Sequence, residues 1–79
     1  MQPQKSTRIE LSEDEALVLF DWLSRFNGGE HQDLFDAQAE QRALWNLEAR
    51  LEKALVAPLA SDYQRRLEEA RVRLTDSET

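Results

Sequence analysis

Few residues in this chain have the type and spacing to do chemistry, and the single histidine is the first to weigh. His31 lies in Gly28-Gly29-Glu30-His31-Gln32-Asp33, with carboxylates close on both sides. Imidazole beside carboxylates is the raw material of a divalent-metal site or an acid–base pair. Such a site wants further ligands, and the sequence offers no second histidine and no cysteine. On a polar loop next to two glycines, His31 reads as a solvated residue with neither a metal nor a catalytic role.

Ser12-Glu13-Asp14-Glu15 is the second candidate, an acidic run that resembles a cation or protein-binding patch. Its position supplies another explanation. Ser12 can cap the first amides of a helix while Glu15 reaches back to the Ser12 amide, and Glu13 and Asp14 complement the positive end of the helix dipole. The third candidate is Arg65, Arg66, Arg71 and Arg73, a possible anion strip. Acids interleave with them, and Asp62 with Arg66 and Glu69 with Arg73 stand in the favourable i,i+4 order. That pattern predicts a solvated, self-paired face. Ser24 and Ser61 are accounted for by a polar helix face and a cap. With no nucleophile set beside a base and no glycine-rich phosphate loop, the chain reads as non-enzymatic and without a cofactor.

The helical periods are stronger signals in this sequence than any of these chemical groups. Ala37 to Val56 has the clearest helical period, with Leu44, Leu47, Leu51, Ala54 and Leu55 at three- and four-residue steps. Trp45, Ala49 and Val56 make a second, smaller stripe, so this helix is expected to have neighbours on two sides and to organise the rest. An earlier helix is predicted over 13–26. Ala16, Leu19, Phe20, Leu23 and Phe26 form its main face, widened by Val18 and Trp22, while Leu17 lies apart among Glu13, Asp21 and Ser24. Such a wide apolar arc suits a helix covered by both others or one that carries a dimer interface. Asn27-Gly28-Gly29 stops it, with either glycine free to take the left-handed conformation at the cap. Leu34 and Phe35 are expected to anchor the following loop in the core, and Asp33 or Asp36 to cap the second helix.

Pro58 ends the second helix because the residue before a proline avoids helical geometry. Ser61-Asp62-Tyr63-Gln64 repeats the capping pattern, and Tyr63, Leu67, Ala70 and Leu74 trace a narrow stripe on a third helix over 62–74. Ahead of all three, Thr7-Arg8-Ile9-Glu10-Leu11 alternates in the manner of a strand. It is either paired with a copy of itself in a dimer or laid over a helix as an extended arm. The fold class is all-α: a small three-helix bundle with a short N-terminal arm or β-strand, in one domain over 7–75. Residues 1–6 are expected to be a disordered lead-in and 76–79 a frayed tail. The core is predicted at Leu23, Phe26, Leu44, Leu47, Leu51 and Leu67.

Two stretches, Ile9-Glu10-Leu11-Ser12-Glu13-Asp14-Glu15-Ala16-Leu17-Val18-Leu19-Phe20 and Ala39-Glu40-Gln41-Arg42-Ala43-Leu44-Trp45-Asn46-Leu47-Glu48, resemble a group of small bacterial helical proteins of unknown function. These share the order short strand, capped helix, loop, tryptophan-bearing helix, proline, terminal helix. The resemblance implies a discrete bacterial domain over residues 9–74 and no particular activity or site residue.

At 79 residues the core is small and has no cysteine to staple it. The surplus of apolar helix surface points to a protein-interaction module that self-associates, most simply as a homodimer, or binds another protein. Ile9, Leu17, Val18, Trp22, Trp45, Ala49 and Val56 are its candidate contact residues. The net charge of −6 opposes nucleic acid and anionic membranes and would suit a partner with a basic surface, as for an acidic antitoxin or immunity-type inhibitor. A ribbon-helix-helix-like DNA-binding regulator is the alternative from element order. It would aim Glu10 at phosphates and at base edges rich in acceptors, and needs a shorter loop than Asn27–Asp36. No apolar run is long enough for a signal peptide or a membrane span, so the expected location is cytoplasmic.

Overall fold

The computed structural model describes residues 5–55 and 61–76. Three helices account for most of them: α1 (Glu13–Asn27), α2 (Gln38–Ala54) and α3 (Tyr63–Asp76). A single 3-10 turn, Gln32–Leu34, lies between the first two, and no strand occurs among the described residues. This is the all-α three-helix bundle that the apolar periods predict. Residues 5–12 form an arm with no regular secondary structure.

Helix α1 starts where its capping residues require. Ser12 Oγ accepts from the Glu15 amide at 3.0 Å, and Glu15 Oε1 accepts from the Ser12 amide at 2.8 Å. Two amides that would otherwise be orphaned are thus satisfied reciprocally. The helix ends differently from the expectation. Neither glycine takes a positive φ; Gly28 sits at φ −80°, and its amide bonds back to Ser24 O. Here glycine serves space instead of backbone freedom. A Cβ on Gly29 would meet His31 Nε2 at 3.0 Å.

Packing makes α1 the centre, not α2. Both later helices lie against it, and it supplies Ala16, Leu17, Phe20 and Leu23 to the buried core. Leu51 is the one buried residue of α2, joined by Leu55 just beyond its end. Helix α3 contributes Leu67 and Ala70. Ala70 is wholly covered, and its small side chain permits close approach of α3 to α1. Of the predicted core, Leu23, Leu51 and Leu67 are buried, whereas Phe26, Leu44 and Leu47 are half-covered. With α1 between its two neighbours, α2 is left with one main packing partner and an open outer face.

Several polar contacts fix this arrangement. Asn27 Nδ2 donates to Glu48 Oε1 at 2.8 Å and to Leu44 O at 3.4 Å, pinning the end of α1 to α2. Helix α2 has Ala37 at its cap and no side-chain cap from Asp33 or Asp36; Glu40 instead accepts from the Asp36 amide at 2.9 Å. The expected pair of Arg66 with Asp62 forms at 2.9 Å, but Arg73 does not pair with Glu69. It crosses to Asp14 on α1 and donates twice, at 2.8 and 2.9 Å, while Glu69 takes Arg65.

Candidate interaction surface

The candidate contact residues divide sharply once placed. Trp22 on α1 is 46 % exposed and Trp45 on α2 is 45 % exposed. Ala49 is also exposed, one helical turn from Trp45 on the open face of α2. Ile9 in the arm is 73 % exposed, and Val18 is half-covered. Val56 lies outside the described residues. Leu17 is the correction: at 5 % exposure it belongs to the core and offers nothing to a partner. It lies between Asp14 and Asp21 in spacing, and all three look toward α3. The sequence pattern hid this because acids on either side make the stripe appear solvated.

Trp22 is held on one face by Phe26, with ring centroids 4.9 Å apart and planes 15° from parallel. Phe26 in turn carries His31 on a stack at 4.1 Å and 11°, and meets Phe35 edge-on at 6.1 Å. These aromatic contacts restrict the rings and present the Trp22 indole in a defined pose. His31 therefore has a packing role that its polar neighbours gave no reason to expect. Leu34, expected as an anchor, is instead 64 % exposed, while Phe35 is half-buried. Val72 on α3 is 56 % exposed and was not visible as a surface candidate, since an isolated apolar residue outside a stripe carries no periodic signal.

The polar groups serve the fold. Asp21 accepts from Tyr63 Oη at 2.9 Å, Arg25 Nε at 3.0 Å and Arg71 Nη2 at 3.2 Å. Burial first, then the hydrogen bond to Asp21 and its negative charge, push the Tyr63 phenol up to about 12. The Arg73 guanidinium holds the Asp14 carboxyl below its usual range, chiefly through the hydrogen bond. A cleft of about 310 Å³ lies between α1 and α3, lined by Glu13, Asp14, Leu17, Leu55, Arg65, Arg66, Glu69 and Arg73. Its arginines already have carboxylate partners: Asp62 and Glu69 for Arg65, Asp62 for Arg66, and Asp14 for Arg73. A bound anion would have to displace those partners. Among the described residues, no group of three His, Cys, Asp or Glu side chains is placed to hold a metal ion, and no helix is long and apolar enough to cross a membrane.

Comparison with protein-family models, curated proteins and solved structures finds no match for this chain.

Proposed function

We propose that the protein is a non-enzymatic helical interaction module that works by presenting apolar side chains to another protein surface. The observation that supports this most is the pair of half-exposed tryptophans, one on each of two helices. Tryptophan carries a large apolar surface, and at interfaces it is a frequent anchor. Covering the remaining exposed part of each indole would contribute on the order of 1–2 kcal/mol. Such a gain is large beside the few kcal/mol that a core of this size supplies. The stacked pose of Trp22 on Phe26 also fits the role, because a ring oriented by its own chain needs little ordering on contact.

Photo-crosslinking in cells tests the reading. A benzophenone side chain at position 22 or 45 is expected to give a discrete adduct, either with a second copy or with a different protein. The same group at Gln64, exposed on α3, should not give that adduct. Identical, diffuse labelling from all three positions would overturn the proposal.

A further inference from the structure

The arm ahead of α1 has a strand-like alternation but no backbone partner among the described residues. Not one backbone group from Thr7 to Leu11 hydrogen-bonds to another described residue. The segment alternates Thr7, Ile9 and Leu11 with Arg8 and Glu10. The arm flanks a groove of about 540 Å³ shared with Leu47, Arg50 and Leu51, and every residue from Thr7 to Leu11 is exposed. Neither Arg8 nor Glu10 has an ion-pair partner among the described residues. Five residues whose backbone groups and charges have no partner among the described residues form a template for an added strand.

We propose that the occupant is the same arm of a second copy, paired antiparallel about a two-fold axis through Ile9. This deepens the interaction reading above by naming a partner and a register. In that register Ile9 opposes Ile9, Thr7 opposes Leu11, and Arg8 opposes Glu10. Residues directly opposite share a face of the ribbon, so the apolar set meets on one face and two Arg–Glu pairs form on the other. A slip by one residue on each strand brings Arg8 against Arg8 or Glu10 against Glu10 at the axis, which like-charge repulsion opposes. A parallel pair would set each charge beside its own kind. The sequence thus complements itself in one antiparallel register, as an isologous contact requires. The capping Ser12 follows Leu11 directly, so each strand of the ribbon would lead straight into α1 of its own chain.

Charge reversal tests the register without touching the helices. Arg8→Glu leaves two glutamates in each arm and Glu10→Arg leaves two arginines. Each variant alone should dimerise at least about tenfold more weakly than the wild type, at unchanged helicity. An equimolar mixture of the two should regain wild-type affinity as a heterodimer, since each glutamate then opposes an arginine. Sedimentation equilibrium reads all four samples. A wild type that remains at the mass of one chain overturns the pairing, as does a dimer indifferent to both substitutions or a mixture that does not recover. In those cases, adducts from positions 22 and 45 would still support an interaction module, and their absence would remove that reading separately.

Discussion

Asp21 is the residue on which the α1–α3 contact turns. One carboxylate, only 15 % exposed, receives a phenol from α3, a guanidinium from α3 and another from its own helix. Three donors compensate the desolvation that a lone carboxylate would suffer there. The consequence can be read through Tyr63, the chain's one tyrosine. Its phenol is raised in the folded state, so the neutral form is favoured and its stabilising contribution is complete below the ordinary value of about 10. That contribution is lost as pH rises through about 12. Ultraviolet titration should show tyrosinate appearing near that higher value, and urea-unfolded chain should titrate near 10. Asp21→Asn is expected to bring the folded value down, since the negative charge that opposes tyrosinate is gone. An unshifted titration in the folded wild type would contradict the hub. Nothing in the sequence marks Asp21 as an interhelical ligand, because an aspartate next to Trp22 on an amphipathic helix looks the same whether it faces water or a distant Arg71.

At the scale of elements, the hierarchy of helices is what differs from the reading of periods. The period of α2 is the cleanest in the chain, yet α2 rests on one main neighbour and keeps Trp45 and Ala49 outside. Helix α1, with its wider and less regular arc, is the one packed from two sides. Width, not regularity, signals a central helix: each added neighbour buries another strip of surface, including strips that carry acids to bond it. Helix existence, the Ser12–Glu15 cap and much of the core were legible because they depend on local spacing. The Asp14–Arg73 and Tyr63–Asp21 contacts were not, because they depend on how distant segments dock. Leu17 separates these accounts experimentally. Buried between α1 and α3, Leu17→Ala should cost about 2–4 kcal/mol, read as a lowered urea midpoint. Leu34→Ala, on the exposed 3-10 turn, should leave the midpoint almost unchanged. Equal small effects would place Leu17 at the surface and contradict the packing.

For the molecule as a whole, the arm and the half-covered tryptophans were visible as apolar excess in the sequence, but their availability was a question only the packing could answer. The three helices cover Leu17 and leave Ile9, Trp22 and Trp45 accessible. Ion pairs within and between helices engage Arg25, Arg65, Arg66, Arg71 and Arg73, while Arg8 and Glu10 are among the charges with no ion pair among the described residues. In the proposed ribbon those two charges would neutralise each other, which would remove the basic face that a DNA-reading ribbon needs. This chain is expected to associate through the surface it leaves open. Light scattering and tryptophan emission, recorded on the same samples across the micromolar range, test it most directly. The expected result is a mass rising from one chain towards two while the emission shifts to the blue as the indoles are covered. A mass fixed at one chain, with emission unchanged at every concentration, would contradict self-association.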